Sequence, residues 1–162
     1  MIDIKIGDMK GVPVIYLQTD ERAGFTKGPV FDAQKNVCGF TMDMDGITLG
    51  KKYIAMDDIL RMDRNSILVF NENSIRKFSH KKKNSAEEPY IGQKVQSKEG
   101  KKLGTVKDLV FNSETGNIEG LEVSRGFLED IVDGRNIVLM RDGVEFAEEF
   151  IIVEGGENVE KK

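Results

Sequence analysis

The sequence predicts a mainly β protein, organised as two tandem small barrels or strongly bent sheets joined by a short polar linker. Short apolar runs bounded by turn residues indicate strands rather than helices. Apolar and polar residues alternate with a period of two, and no stretch of 12 residues keeps the 3.6-residue period of a helix. A weak internal repeat, with an offset of about eighty residues, predicts the tandem arrangement.

The first half begins and ends with strand patterns. Ile2, Ile4 and Ile6 alternate with charged residues, which is typical of a strand with one buried face. Ile67 to Phe70 is an apolar run of strand length. The segment Thr41 to Gly46, TMDMDG, is interpreted as a turn between strands.

A polar segment divides the chain. Ser79 to Pro89, SHKKKNSAEEP, has no apolar residue larger than Ala86 and ends in proline, a composition typical of an exposed connector. The lysines Lys81 to Lys83 are interpreted as solubilising. The predicted organisation is a domain at residues 1–79, a linker at 80–90, a second domain at 91–153 and a flexible tail at 154–162.

The second half contains the clearest pattern of the chain, a β-hairpin from Gly100 to Ser124. Asn112 to Asn117, NSETGN, is the predicted turn, and Gly116 supplies the positive φ that a type I turn with a following bulge needs. After the turn, Leu121 alternates with Glu122, which predicts a half-buried strand whose Glu122 and Ser124 face away from the core.

Two short apolar runs follow the hairpin. Ile137 to Met140 and Phe150 to Val153 are predicted strands. The segment between them, Gly143 to Glu149, is predicted to be a turn or a single helical coil. Because the longest apolar runs have four residues, against the roughly 20 that a spanning helix needs, no membrane segment is expected.

The repeat aligns the two halves position by position. An ordered series with an offset that drifts from eighty to 84 is what small insertions in loops produce. The matched positions are Gly11 with Gly92, Val14 with Val95, Gly24 with Gly104, Val30 with Val110, Phe31 with Phe111, Asp32 with Asn112, Asn36 with Asn117, Gly39 with Gly120, Phe40 with Leu121, and Ile67–Val69 with Ile151–Val153.

Residues 91–153 resemble the PRC-barrel domain family. The resemblance begins with a glycine and a valine near the first strand and continues through the G-x-V-x-D segment Gly104–Asp108 to a turn that ends in glycine. The first half looks like a divergent second copy. It has Gly28 where the pattern has aspartate and Pro29 within a strand, so its hairpin is expected to be distorted or to lie at a sheet edge.

The resemblance implies a small β-barrel for each half and a docking or assembly role. Such domains occur in the ribosome maturation factor RimM and in the photosynthetic reaction-centre H subunit. The residues that carry the resemblance are interpreted as structural, with Asp108 accepting backbone N–H groups at a strand end. These residues are Gly92, Gly104, Asp108, Gly116 and Gly120.

No residue set predicts catalysis, a cofactor or a metal. His80 is the only histidine and lies in the linker, so a hydrolase triad has no base within a domain. The single cysteine, Cys38, is interpreted as a small strand residue that forms no internal disulfide. GITLGKK, at residues 46–52, lacks the spacing and the Ser or Thr of a phosphate loop.

Two clusters of carboxylates are also interpreted as structural. In TMDMDG, position twelve counted from Asp43 is Ile54 rather than the glutamate of a calcium loop. The acidic residues of the last strands form a predicted solvated face rather than a site for a hard cation. They are Asp142, Glu145, Glu148 and Glu149.

Charge disfavours direct binding of nucleic acid. Residues 91–162 carry 10 basic and 15 acidic side chains, whereas phosphate recognition normally needs a basic face. Four lysines near the second hairpin could form a local basic surface, and the preferred interpretation is a solvated turn. They are Lys94, Lys98, Lys101 and Lys102.

The expected function is that of a cytoplasmic, non-catalytic module that docks another protein, with the family resemblance suggesting RNA metabolism or ribosome assembly. The alternative is a module that binds a small molecule or an ion in a groove between the two barrels. Direct nucleic-acid and membrane partners are not expected. A homodimer that forms by pairing of exposed strand edges is left as an alternative.

Overall fold

A computed structural model describes residues 3–46, 51–79, 85–126, 136–140, 144–153 and 159–161. The fold is mainly β, and the helical residues in these ranges form short 3₁₀ turns. The chain divides into two compact units, and the first is built from two separate stretches. The first unit is Met1–Glu88 with Phe111–Asn117, and the second is Pro89–Val110 with Ile118–Lys162.

The first half of the chain forms eight strands, seven of which build one sheet in the order β6-β7-β2-β3-β4-β5-β8. The strands are β1 (Asp3–Lys5), β2 (Pro13–Tyr16), β3 (Arg22–Phe31), β4 (Val37–Met44), β5 (Lys52–Ala55), β6 (Ile59–Met62), β7 (Ile67–Val69) and β8 (Arg76–Lys77). Short 3₁₀ turns cover Ile6–Met9, Met56–Asp58 and Glu72–Ser74.

The second half forms strands that follow one another in the sheet order β13-β14-β9-β10-β11-β12-β15. The strands are β9 (Lys94–Ser97), β10 (Lys102–Asn112), β11 (Ile118–Ser124), β12 (Asn136–Leu139), β13 (Glu145–Phe146), β14 (Phe150–Val153) and β15 (Val159–Lys161). Strand β14 coincides with the apolar run that predicted it, and β12 lies one residue before the predicted run Ile137–Met140.

The two sheet orders are the same when β2 is matched with β9, β3 with β10, and so on to β8 with β15. The directions agree as well, because β2 is parallel to β7 and β9 is parallel to β14, while the other described pairs are antiparallel. Register also agrees. Val14 on β2 lies opposite Gly24 on β3 and Ile67 on β7, and in the same way Val95 on β9 lies opposite Gly104 on β10 and Ile151 on β14.

The two hairpin turns share a hydrogen-bond pattern. The Asn112 side chain accepts the N–H groups of Glu114 and Thr115, at 2.9 and 3.1 Å. The Asp32 side chain accepts the N–H groups of Gln34 and Asn36, at 2.9 and 3.0 Å. These side chains close each turn locally, as Asx residues do at the start of turns.

The first unit has a core of aliphatic and aromatic side chains. Phe40 from β4 packs against Phe111, with ring centroids 6.1 Å apart, and both rings are fully buried. Burying one such side chain stabilises the fold by about 1.5–3 kcal/mol. In the second unit the corresponding core contains Val95, Val106, Leu121 and Ile151, each at most 1% exposed.

Two local predictions were wrong. Thr41 to Met44 belong to strand β4, so TMDMDG is mostly strand and its turn begins only at Asp45. The Gly143–Glu149 segment contains the short strand β13, because pairing with β14 overrides a sequence that has no strand pattern. At the start of the chain, Asp3–Lys5 form β1 with Ile4 buried, as the alternation predicted, and Ile6 begins a 3₁₀ turn; Ile2 lies outside the described residues.

The prediction that β11 is half-buried was also wrong. Glu122 and Ser124 are only 2% and 6% exposed, so both faces of this strand are covered. Alternation of polar and apolar residues indicates a half-buried strand only where the polar face is exposed to solvent. In β11 the polar face is buried as well.

Pro29 lies in a bulged part of β3 rather than on an edge strand. The β3–β4 register shifts between Thr26 and Gly28 and again after Val30. Pro29 lies opposite Phe40 on β4, beyond Phe25, where the described pairing of β3 with β2 ends. The missing N–H of the proline therefore removes no bond to β2.

Candidate functional site

Two glycines of the predicted structural set hold backbone geometry that another residue would disturb. Gly104 has a φ of 139°, and a Cβ there would overlap the carbonyl oxygen of Ser124 on the neighbouring strand. Gly116 has a φ of 80°, and a Cβ there would overlap the carbonyl oxygen of Val37. The Gly116 carbonyl also accepts the N–H of Val37 at 2.8 Å.

The other residues of that set also take part in local backbone structure. The N–H of Gly92 donates to the Val106 carbonyl at 2.9 Å, and Gly120 lies within β11. Asp108 lies in the middle of β10 rather than at a strand end, and its Oδ1 accepts the N–H of Leu109 at 2.8 Å.

The residues considered for catalysis or metal binding are dispersed or lie outside the described ranges. His80, Lys81–Lys83, residues 47–50 and Asp142 lie outside them. Glu145, Glu148 and Glu149 are exposed. In the part of the chain that the structure describes, no three His, Cys, Asp or Glu side chains are grouped as a metal ion would require.

Cys38 lies in β4 beside Tyr53. The Tyr53 hydroxyl donates a hydrogen bond to the Cys38 carbonyl at 2.9 Å, and its oxygen is 3.8 Å from Sγ. Burial raises the pKa of the Cys38 thiol, although the contact with Tyr53 acts in the opposite direction. A thiol with a raised pKa has little thiolate at neutral pH and is a poor nucleophile.

The first unit has a groove of about 390 Å³ along β6, which we call the edge groove. Among the described residues, β6 pairs with β7 on one side and ends the sheet on the other. The hairpin tip at Ser113 and Glu114 forms part of the wall. The edge groove is lined by Met56, Ile59, Leu60, Arg61, Met62, Asp63, Ser113 and Glu114.

Leu60 is the most exposed apolar side chain of the edge groove. It lies where the β6–β7 register shifts between Ile59 and Arg61, and it is 54% exposed. At the end of the groove, Asp63 accepts the N–H groups of Asn65 and Ser66, which lower the pKa of its carboxyl. The groove thus combines apolar side chains from β6 and Met56 with polar and charged side chains.

The second unit has a different groove, of about 450 Å³, which we call the basic groove. Among the residues that the structure describes, its lining has four cationic side chains and no carboxylate. Its lining residues are Lys94, Val95, Gln96, Lys101, Lys102, Leu103, Gly104, Thr105, Arg125 and Phe150.

Strand pairing explains how these side chains meet. Lys94 lies opposite Thr105 on β10 and beside Phe150 on β14, so the three side chains share one face of the sheet. Gln96 lies opposite Lys102 on the same face.

Sequence reasoning grouped three of the four cations but missed the fourth. Lys94, Lys101 and Lys102 line the basic groove, whereas Lys98 does not. Arg125 follows β11, more than twenty residues after Lys102, and only the pairing of strands brings it to the groove. The sequence signal available for Arg125 was its position immediately after the hairpin.

The structure contains no candidate membrane helix: none in the described ranges is both long and apolar enough to cross a bilayer. No curated protein matches the chain. The family model of the PRC-barrel domain matches residues 88–159, a range that includes β9 to β14 and the whole hairpin whose glycines carried the resemblance. A PRC-barrel domain is therefore present at residues 88–159.

Proposed function

We propose that this protein is a non-catalytic interaction module that docks an extended segment of a partner protein along β6. The observation that carries the proposal is the edge groove, where a strand at the end of a sheet runs beside a cavity lined by both apolar and polar side chains. An extended peptide can add to such an edge through main-chain hydrogen bonds.

The dimensions of the edge groove suit a short strand. Ile59–Met62 has four residues, which corresponds to roughly 13 Å of extended chain. Alternate side chains of an added strand would point towards the groove floor and away from it, so the floor selects every second residue of the partner.

The apolar part of the lining favours aliphatic side chains in the partner. Met56 has a flexible, polarisable side chain that can adapt to different shapes. Leu60 is 54% exposed, and covering the exposed half of a leucine contributes about 1 kcal/mol. Arg61 and Asp63 add charges of both signs, which would fix the orientation of the peptide.

We further propose that residues 1–79 are a divergent copy of the PRC-barrel domain. The matching strand order and the matching register of β2 with β3 and β7 support a duplication. Under this proposal the module works in the cytoplasm, in keeping with its single cysteine, and the family resemblance suggests assembly in RNA metabolism.

The proposal can be tested with a tagged full-length chain in native lysate. We expect the unmodified protein to retain one partner in near-stoichiometric amount. Leu60→Lys should reduce its recovery by about tenfold or more, because the substitution removes apolar contact and places a charge on the edge strand. Crosslinking followed by mass spectrometry should locate an extended partner segment against β6.

The matched control is Leu17→Lys, because Leu17 is also 54% exposed but does not line the edge groove. This variant should retain the partner. Recovery of chaperones alone, or equal loss of the partner in both variants, would remove the proposal.

A further inference from the structure

We propose that the basic groove binds a small phosphorylated molecule with two or more negative charges. The chemistry it would recognise is a di- or triphosphate group. The site lies in the second unit and is separate from the edge groove, so the inference goes beyond docking of a protein partner.

The charge of the groove is the first argument. Lys94, Lys101, Lys102 and Arg125 line one cavity, and no carboxylate is among the described residues of its lining. Within the described ranges, none of the four forms an ion pair. Strand pairing places Lys94 and Lys102 on one face of the sheet, where like charges repel and a bound anion would offset the repulsion.

The fold itself does not require this cluster, as the matching positions of the first unit show. Pro13 takes the place of Lys94 and Phe25 takes the place of Thr105. Arg22 takes the place of Lys102 but pairs with Asp45, Nε to Oδ2, at 2.7 Å. The same sheet therefore forms with an electrically balanced face, and the basic face needs another explanation.

The size and the polar groups of the groove suit a small ligand. Its volume of about 450 Å³ is within the range of small-molecule sites, roughly 300–1,000 Å³. The Thr105 hydroxyl and the Gln96 amide can donate hydrogen bonds to phosphate oxygens next to the cations. Phe150 is partly exposed at the same face and offers a surface for a ring.

The net charge of this half of the chain favours a small anion over a long one. Residues 91–162 carry 10 basic and 15 acidic side chains, and four of the basic ones line the groove. A nucleic acid strand needs an extended basic surface, which this excess of acidic side chains disfavours.

The test is isothermal titration calorimetry of the full-length chain with two probes, inorganic tripolyphosphate and ATP, at about 50 mM and 200 mM salt. We expect both probes to bind, with weaker binding at the higher salt. The double variant Lys94→Gln, Lys102→Gln should weaken both by about tenfold to a hundredfold, since it removes charge-assisted hydrogen bonds. The control Lys27→Gln, Lys51→Gln removes equal charge from exposed positions outside the groove and should bind as the unmodified protein does.

Phe150→Leu separates two sources of the phosphate. If ATP binding weakens several-fold and tripolyphosphate binding does not, the ligand is a phosphate ester with a ring. If both probes bind as before, the groove recognises the phosphate chain alone.

Three results would overturn the proposal: no binding of either probe at about 1 mM, equal weakening in the two lysine double variants, or binding of an RNA of about 12 nucleotides more than tenfold tighter than ATP. Circular dichroism of each variant identifies a loss of folding. In that event Lys102→Gln alone is used in place of the double variant.

Discussion

Arg22 at the start of β3 and Lys102 at the start of β10 occupy the same position in two sheets of the same strand order, yet their surroundings differ. The Arg22 guanidinium is 2.7 Å from Asp45 and lies 4.4 Å from the centre of the Phe25 ring. Lys102 instead shares the basic groove with Lys94, and the described part of that groove's lining has no anionic side chain.

This difference distinguishes the residues that maintain the fold from the residues that determine the properties of the surface. Register is maintained where a valine lies opposite a glycine and beside a buried isoleucine, as Val14 and Val95 both do. The outward side chains of the same strands are free to change, because they do not fill the core. We therefore look for function where the matching positions of the two units disagree.

The largest expected effect is at the glycines that face the neighbouring strand. Gly104→Ala should lower the free energy of unfolding by about 3 kcal/mol, because it combines a φ of 139° with overlap against the Ser124 carbonyl. Gly24→Ala should cost about 2 kcal/mol, because the overlap with the Asp43 carbonyl occurs there without a positive φ. Urea denaturation measures both changes.

Gly28→Ala is the control for this pair, because no atom lies within 4 Å of the added Cβ and its φ is not positive. We expect a change of about 0.5 kcal/mol or less. If Gly104→Ala were as stable as this control, the close approach of the strands would not be what selects glycine.

A smaller effect is expected where Thr26 in the first unit matches Val106 in the second. The buried Thr26 hydroxyl donates to the Met9 carbonyl at 2.6 Å and accepts the N–H of Val12 at 2.8 Å. Thr26→Val makes the first unit resemble the second and removes both bonds, so it should cost about 2 kcal/mol by urea denaturation.

The reciprocal change, Val106→Thr, inserts a hydroxyl into a fully buried position and should cost about 1–2 kcal/mol. Thermal unfolding of the two variants side by side provides the comparison. If neither substitution changed the stability of the protein, the two hydrogen bonds of the Thr26 hydroxyl would not be part of what distinguishes the units.

The smallest effect concerns alkaline pH. Burial raises the pKa of Tyr53 well above its ordinary value, with the nearby Cys38 thiol adding to the shift. The folded state thus favours the neutral phenol. Its contribution to stability is complete below pH of about 10 and is lost as the pH rises beyond that value.

Ile137 takes the place of Tyr53 in the second unit, so Tyr53→Phe makes the two positions more alike. The variant should lose about 1 kcal/mol near neutral pH, because the bond to the Cys38 carbonyl is removed. It should then lose less stability than the unmodified protein between pH of about 8 and 11. Urea denaturation at both pH values measures the slope, and an unchanged slope would contradict the assignment to Tyr53.

Sequence reasoning found the local features whose causes are local. The turn at Asn112–Asn117 depends on an asparagine side chain and on Gly116, and strand β14 is a short apolar run, so both could be predicted. The ordered repeat also predicted which residues hold matching places in the two sheets, such as Gly24 and Gly104.

Features that depend on distant packing could not be predicted. Glu122 reads as a solvent-facing residue, and its burial depends on what covers the second face of β11. Arg125 joins the basic groove only because β11 returns beside β10. Strand β13 forms because β14 offers it a partner, and its own residues have no strand pattern.

The first unit needs residues 111–117, and this has a consequence for synthesis on the ribosome. Phe111 packs against Phe40, and the Gly116 carbonyl accepts the N–H of Val37. Phe111 and Gly116 are therefore translated long after β4, the strand that contains Phe40 and Val37. Domains commonly fold as their chain emerges, but this unit has to wait for the second hairpin before its core is complete. A gene fragment that stops at Glu88 would encode every strand of that sheet and would still lack the Phe111 ring that packs against Phe40.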